Sequence, residues 1–211
     1  NRAHRTVVIR TRLFDDAAQA HIDKIPDATI VNLGVGLDTR FYRLSNRQSY
    51  WIELDLPEVI DIRKQVVPTP PAERHQYIPK DVRDLSWMQE IPRDNTSLLF
   101  IAEGMFMYLT REEVQRILTA MADHFPGSQI LFDVFTPTVI KLRNRHEDPL
   151  ANLEAQMQWG ETHPQVVESW DPRFQLVDTW SVVATPQYRK RMGRYAMTPL
   201  IATLVSKRLD I

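Results

Sequence analysis

Twelve residues near the start of the chain constrain its fold more than any other stretch, and they read Thr29-Ile-Val-Asn-Leu-Gly-Val-Gly-Leu-Asp-Thr-Arg40. A run rich in β-prone and apolar residues leads directly into Gly34 and Gly36, and Asp38 then begins a segment typical of a helix start. Glycine has no Cβ and adopts positive φ, so a strand that ends in such a turn lets a ligand approach the backbone closely. The stretch therefore predicts a nucleotide-type cofactor site in a doubly wound α/β sheet.

The remainder of the chain alternates predicted strands with predicted helices. Strands are predicted over 28–33, 50–54, 74–79, 97–102 and 129–134, and helices over 5–25, 57–67, 85–90 and after a capping box that begins at Thr110. Residues 174–183 and 200–209 are predicted to form two final antiparallel strands, and 136–172 a helical cover over the carboxyl edge of the sheet. We therefore expect one domain over 1–211, an α/β fold with a doubly wound, mostly parallel, Rossmann-like sheet of about seven strands.

Composition excludes several functional classes. The 26 basic and 27 acidic residues give a net charge of −1, so no global field attracts nucleic acid. No apolar run approaches the roughly 20 residues of a membrane helix, and the absence of cysteine excludes disulfides, thiolate nucleophiles and cysteine metal sites. We expect a cytoplasmic protein without a metal, a nucleic-acid partner or a membrane partner, and the sequence leaves its oligomeric state open. Because the sequence begins at Asn1 and not at methionine, we also expect residues upstream of it.

Three of the first four predicted strands end in an acidic residue: Asp55, Asp81 and Glu103. Asp55 lies 21 residues after Gly34, close to the roughly 20-residue spacing of a carboxylate that binds ribose hydroxyls. Simpler roles stay open, since Asp38 and Asp55 could cap helices and Asp81 could stabilise a turn. Glu103 follows five apolar residues, and a carboxylate buried there needs a partner.

Two cofactor classes fit this pattern, nicotinamide dinucleotides and S-adenosylmethionine. The dinucleotide fingerprint requires a third glycine at the position that Thr39 occupies. Asp38 would also place a carboxylate beside two phosphate charges, which is unfavourable. S-adenosylmethionine has no phosphate and carries a sulfonium and an ammonium, so the row of acids favours the methyl donor.

With these residues, the chain resembles the class I S-adenosylmethionine-dependent methyltransferases, and most of all the leucine carboxyl methyltransferase family in its bacterial branch of polyketide-type O-methyltransferases. The resemblance covers about residues 8–135. Four ordered segments carry it: Val31-Asn-Leu-Gly-Val-Gly-Leu-Asp-Thr-Arg-Phe41, Trp51-Ile-Glu-Leu-Asp-Leu-Pro57, Asp81-Val-Arg-Asp-Leu85 and Ile101-Ala-Glu-Gly-Met-Phe-Met-Tyr-Leu109.

The resemblance implies a set of cofactor-binding residues. Gly34, in the same turn as Gly36, would approach the methionine part of the cofactor, and Asp55 would bind the ribose hydroxyls. Asp81 and Val82 would frame the adenine.

The methionine end of the cofactor has its own implied partners. Glu103 would face this end, and the family uses an arginine of the first helix for the cofactor carboxylate. Arg10 is the predicted arginine, with Arg12 as the second choice.

The implied reaction is transfer of a methyl group to an oxygen atom, with S-adenosylhomocysteine as the product. The acceptor would be a carboxylate or hydroxyl of a polyketide-like small molecule or of a protein C-terminus, held by Tyr108 and the 136–172 cover. His146 and His163 are candidate bases by location. A nicotinamide-dependent oxidoreductase of Rossmann type stays the alternative, and the basic segment 188–195 is interpreted as a solvated face.

Overall fold

The structure is a computed structural model that describes residues 2–44, 48–92, 97–145, 156–181 and 200–206. Its helices and strands alternate along most of the chain. In order they are α1 (Arg2–Lys24), β1 (Thr29–Leu33), α2 (Arg40–Arg43), β2 (Tyr50–Asp55), α3 (Pro57–Val66), β3 (His75–Pro79), β4 (Leu98–Ala102), α4 (Arg111–His124), β5 (Gln129–Val134), α5 (Pro137–Arg145), β6 (Phe174–Ser181) and β7 (Leu200–Ser206).

All the described strands belong to one sheet, in the order β3-β2-β1-β4-β5-β7-β6. Strands β1 to β5 pair parallel with one another, and β7 pairs antiparallel with both β5 and β6. This confirms the predicted doubly wound, mostly parallel α/β sheet and the antiparallel pairing of its last two strands. The strand order reverses between β1 and β4, and ligands of such sheets bind at the carboxyl ends of the strands beside this switch point.

The sheet is buried on both faces because its central strands are apolar at consecutive positions. Successive side chains of a strand point to opposite faces. Phe100 of β4 packs with the core that includes α4 residues such as Ile117, whereas the adjacent Leu99 packs with the core that includes α1 residues such as Phe14. Two hydrophobic layers therefore hold helices on the two faces, as the continuous apolar run predicts for a central parallel strand.

Helix α4 confirms the predicted capping box in detail. The Glu113 N–H donates to Thr110 Oγ1 at 3.2 Å, and the Thr110 N–H donates to Glu113 Oε2 at 2.9 Å. The apolar face of the helix is buried, including Val114, Ile117 and Leu118.

The predicted helix over 85–90 is the 3-10 helix Leu85–Glu90. The N-cap residue of α2 is Thr39, whose side chain makes no capping hydrogen bond. Asp38, one residue earlier, accepts the Arg40 N–H at 3.1 Å through Oδ1, and its Oδ2 pairs with the Arg40 side chain at 2.7 Å. The Asp38 carboxylate therefore satisfies the first N–H of α2 and joins a buried ion pair at the same time.

Described parts of the 136–172 cover lie against the carboxyl ends of β4 and β5. The Gln158 N–H donates to the Met107 carbonyl at 2.7 Å, and the Glu161 N–H donates to the Phe135 carbonyl at 2.8 Å. A Cβ at Gly160 would lie 2.5 Å from the Phe135 oxygen, so this close approach requires glycine. The basic segment 188–195 and the candidate base His146 lie outside the described residues.

None of the helices in the described part of the chain has the length and apolar character that crossing a bilayer requires.

Replacing Thr110 tests the energetic value of the capping box. Thr110→Ala should lower the free energy of unfolding by about 1 kcal/mol, because it removes the oxygen that satisfies the Glu113 N–H. Urea denaturation followed by circular dichroism measures the change. Thr110→Ser keeps the oxygen and is the matched control; a serine variant that loses as much stability as the alanine variant would contradict the assignment.

Candidate functional site

A cavity of about 280 Å³ lies at the carboxyl ends of β1 and β4, beside the point where the strand order reverses. Residues from α1, from the turn after β1, from α2 and from the end of β4 line it. The ones that matter for its chemistry are Arg10, Thr11, Gly34, Asp38, Arg43 and Glu103.

The glycine turn after β1 forms one wall of this cavity. Gly34 has φ 66° and Gly36 φ 49°, both in the left-handed region that glycine adopts without strain. The Gly34 N–H donates to the Leu54 carbonyl at 2.8 Å, and the Gly36 N–H donates to Asp55 Oδ2 at 2.7 Å. A Cβ on Gly34 would lie 2.8 Å from Met105 Cγ, so the close packing of Met105 on the turn depends on the glycine. The end of β2 therefore fixes the turn through hydrogen bonds.

Glu103, at the end of β4, accepts hydrogen bonds from three side chains. Its Oε1 accepts from Thr11 Oγ1 at 2.7 Å and from Arg10 Nε at 3.0 Å. Its Oε2 accepts from Arg40 Nη2 at 2.5 Å. The carboxylate is largely buried, and the two guanidinium groups offset the cost of removing its charge from water.

Arg10 bridges Glu103 and a second carboxylate, Asp133 of β5. Its Nη1 donates to Asp133 Oδ2 at 3.0 Å, and Asp133 Oδ1 accepts the Gly104 N–H at 2.6 Å. Complete burial raises the pKa of Asp133, and the Arg10 charge opposes that rise. Gly104 has φ 71°, and a Cβ there would lie 2.9 Å from Arg10 Nη2. Arg10 Nη2 donates no hydrogen bond to any of the described residues. It is therefore available to a ligand in the cavity that Arg10 lines.

Arg12, the second choice for this role, lies away from the cavity. Its side chain is 76% exposed, and it pairs with Asp16 on the surface of α1 at 2.8 Å.

Arg40 is the buried centre of the charge network and has no role in the sequence interpretation. It is 1% exposed, and it donates to Asp15 of α1 at 2.8 Å, to Asp38 at 2.7 Å and to Glu103 at 2.5 Å. Arg43 adds contacts with Asp15 and Asp38, which hold its pKa above the usual value.

Asp55 ends β2 outside the cavity lining, with its carboxylate turned toward the glycine turn. Besides the Gly36 N–H, it accepts the Leu56 N–H at 2.8 Å, and burial raises its pKa. The N-cap residue of α3 is Leu56, so the capping alternative for Asp55 is wrong.

Asp81 stabilises a turn, which is the simpler role that the sequence left open for it. It accepts the Arg83 N–H at 2.8 Å and pairs with the Arg83 side chain, whose hydrogen bonds lower the Asp81 pKa. Val82 is buried, and its carbonyl accepts from Trp87 Nε1 at 2.9 Å. Neither Asp81 nor Val82 lines the cavity.

The predicted acceptor-side residues are not brought to this cavity. Tyr108 is 39% exposed in the 3-10 helix Phe106–Tyr108, and its carbonyl accepts from Gln158 Nε2 at 2.9 Å. His163 is exposed beside the 3-10 helix Pro164–Ser169. Within the described ranges, no group of three or more His, Asp or Glu residues could hold a metal ion.

Sequence interpretation missed three charged residues that build the site, namely Arg40, Asp133 and Arg63. Asp133 stands among the apolar residues of β5, and Glu53, the partner of Arg63, stands inside the buried β2. A charge within a buried strand requires a partner, so these two acids signal buried ion pairs, although no local pattern identifies the arginines that complete them.

Comparison with known families gives one match that covers more than half of the chain. The family model described as leucine carboxyl methyltransferase matches residues 1–122.

Two characterised relatives show moderate identity. The chain is 28% identical over 183 residues to the tetracenomycin polyketide synthesis O-methyltransferase TcmP of Streptomyces glaucescens, covering 86% of this chain and 66% of the relative. It is 31% identical over 178 residues to the S-adenosyl-L-methionine-dependent methyltransferase dpfgK of Gibberella zeae, covering 79% of this chain and 59% of that relative. The chain thus spans less than two thirds of the length of both relatives.

A solved structure shares the fold. Magnesium protoporphyrin IX methyltransferase from Synechocystis with bound SAH superposes with a TM-score of 0.60 at 11% identity, covering 98% of this chain and 88% of the other.

Removing Arg40 tests whether the charge network holds the site together. Arg40→Met should lower the free energy of unfolding by about 3 kcal/mol, the lower end for a broken buried ion pair, because Asp15, Asp38 and Glu103 lose their shared cation and keep only Arg43 and Arg10. Urea denaturation measures the loss. The control Arg12→Met removes an exposed ion pair of α1 and should cost about 0.3–0.5 kcal/mol. Equal losses for the two variants would show that the network does not stabilise the fold.

Proposed function

Because the chain belongs to the leucine carboxyl methyltransferase family, we propose that its cavity binds S-adenosylmethionine and that the protein transfers the methyl group to an oxygen atom of a small molecule. The observation that carries the proposal is the convergence of Gly34, Arg10 and Glu103 on one cavity at the switch point of the sheet.

The residues of the cavity fit the amino-acid end of this cofactor. The unengaged Nη2 of Arg10 suits a carboxylate, and the Glu103 carboxylate suits an ammonium group. The volume of about 280 Å³ is near the lower end of the roughly 300–1,000 Å³ range of ligand pockets. It therefore suits the methionine part of the cofactor, while the adenosine part extends beyond it.

Asp55 and Asp81 supply the adenosine side of the proposed site. Each carboxylate oxygen of Asp55 accepts one main-chain hydrogen bond and keeps a lone pair for a ribose hydroxyl. Asp81 and Val82 lie after the neighbouring β3, where the adenine is proposed to lie. Gly36, between the two parts, leaves room for the cofactor because, apart from Gly36 and its two chain neighbours, no heavy atom of the described residues lies within 4 Å of its would-be Cβ.

When bound, S-adenosylmethionine supplies a methyl group on a sulfonium. An oxygen nucleophile would attack the methyl carbon in line as the carbon–sulfur bond breaks, and S-adenosylhomocysteine would leave. The residues of the chain then contribute by positioning and by excluding water. Arg10 and Glu103 would hold the two charged ends of the amino acid, and Asp55 would hold the ribose, which would restrict the positions open to the sulfonium.

The acceptor side is proposed to involve the 136–172 cover and Tyr108. A carboxylate acceptor needs no base, whereas a phenol or alcohol gains from one. The likeness to a polyketide synthesis O-methyltransferase favours a polyketide-like acceptor. The comparisons give the nicotinamide alternative no support.

Isothermal titration with S-adenosylmethionine tests the donor site. We expect binding by the intact protein and a loss of roughly 10- to 100-fold in Asp55→Ala and in Glu103→Gln, because each loses a charged hydrogen-bonding group. Asp61→Ala, an exposed acid of α3, is the matched control and should bind as the intact protein does. No binding by the intact protein, or full binding by both site variants, would contradict the proposal.

Methyl transfer itself can be tested with methyl-labelled S-adenosylmethionine and a panel of aromatic carboxylic acids, phenols and amines. We expect label in an oxygen-bound product. Mild alkali releases label from a methyl ester and leaves a methyl ether intact, which distinguishes the two acceptor groups. Label found only on the amines would overturn the proposal of O-methylation.

A further inference from the structure

A second buried ion pair also contacts the glycine turn. Arg63 of α3 is 0% exposed and Glu53 of β2 is 1% exposed. Arg63 Nε donates to Glu53 Oε2 at 2.8 Å and Nη2 donates to Oε1 at 2.6 Å, so the contact is bidentate. Burying such a pair costs desolvation energy that apolar side chains of the same volume would avoid. Its presence therefore calls for a role beyond packing.

The third nitrogen of the guanidinium reaches the glycine turn. Arg63 Nη1 donates to the Gly36 carbonyl at 3.1 Å, while the Gly36 N–H donates to Asp55 Oδ2 at 2.7 Å. Apart from Gly36 and its two chain neighbours, no heavy atom of the described residues lies within 4 Å of the position that a Gly36 Cβ would take. The turn at Gly36 is thus held by hydrogen bonds to its main chain and not by contacts above it.

Holding Gly36 also orients Asp55. One carboxylate oxygen of Asp55 accepts the Gly36 N–H and the other accepts the Leu56 N–H, which leaves one lone pair on each oxygen for a ligand. A shift of the Gly36 peptide would rotate the carboxylate with it. The Arg63 charge also favours the anionic form of Asp55, against the larger effect of burial, which raises the Asp55 pKa.

A guanidinium is the side chain suited to this arrangement. Its planar fork binds both Glu53 oxygens and still presents a further N–H to a carbonyl, which a lysine ammonium or an apolar side chain cannot do. Arginine at position 63 therefore suits a site where one side chain must bind both the Glu53 carboxylate and the Gly36 carbonyl.

We propose that Arg63, clamped by Glu53, is a positioning residue that sets Gly36 and through it aims the Asp55 carboxylate at the ribose hydroxyls of the cofactor. This inference rests on the proposed function, because it assigns Asp55 to the ribose. It predicts that loss of the clamp weakens recognition of the hydroxyls specifically.

The experiment compares the binding of S-adenosylhomocysteine with that of its 2′,3′-dideoxyribose analogue by isothermal titration. The intact protein should bind the ribose form at least about tenfold more tightly, since each hydroxyl donates to a charged acceptor. The double variant Arg63→Met/Glu53→Gln removes both buried charges together, which avoids an unpaired buried charge. In this variant the ratio of the two dissociation constants should fall to within about twofold of unity.

Two controls separate positioning from general stability. Leu118→Ala opens a cavity in the α4 core away from the turn, so it should lower the unfolding midpoint and leave the ratio unchanged. Asp55→Asn removes the charged acceptor itself, so it should bring the ratio of the two dissociation constants close to one. A double variant that is destabilised but keeps the full ratio would overturn the role of Arg63, and so would an Asp55→Asn variant that keeps it. No binding of either ligand by the intact protein would instead overturn the proposed function.

Discussion

The structure of the site depends on the need to neutralise Arg40 where water cannot reach it. A guanidinium that is 1% exposed must be paired, because an isolated buried charge costs several kcal/mol. Its three carboxylates come from α1, from the segment after the glycine turn and from the end of β4, and Glu103 is 63 residues away in the chain. Satisfying one charge therefore brings three separate segments together, and the cavity is the space between them.

A second ion pair, Arg63 with Glu53, also contacts this turn, so two buried charge clusters hold the glycine segment. Glycines are the residues that lose the most conformational freedom on folding, and a turn of glycines would otherwise be a poorly ordered wall. Arg63 and Asp55 fix the turn through the main chain of Gly36. This lowers the conformational-entropy cost of ordering the turn when a ligand binds. A turn built from flexible glycines is therefore held rigid in the folded protein.

The fold was largely predictable because periodicity and capping are local signals. The apolar run of β4 and the capping box at Thr110 indicate their elements within a few residues. The charge network was not predictable, because its contacts join residues 63 and 123 positions apart, and no local pattern encodes them. Asp38 shows the limit of local signals, since the local rule predicts its hydrogen bond to the start of α2 and does not predict its ion pair with the Arg40 side chain.

The proposed donor site and the cover proposed to hold the acceptor differ in how tightly the chain constrains them. Glu103, in the proposed donor site, is held by side-chain charges that several elements share, so changing one disturbs the others. The cover is joined to the segments that follow β4 and β5 through main-chain bonds, from Gln158 to Met107 and from Glu161 to Phe135, which most side chains at these two donor positions would permit. Because main-chain bonds do not depend on side-chain chemistry, other side chains of the cover could change without altering the proposed donor site. Under the proposed function, one donor site could therefore serve different acceptors, and the sequence of the sheet would identify only the donor.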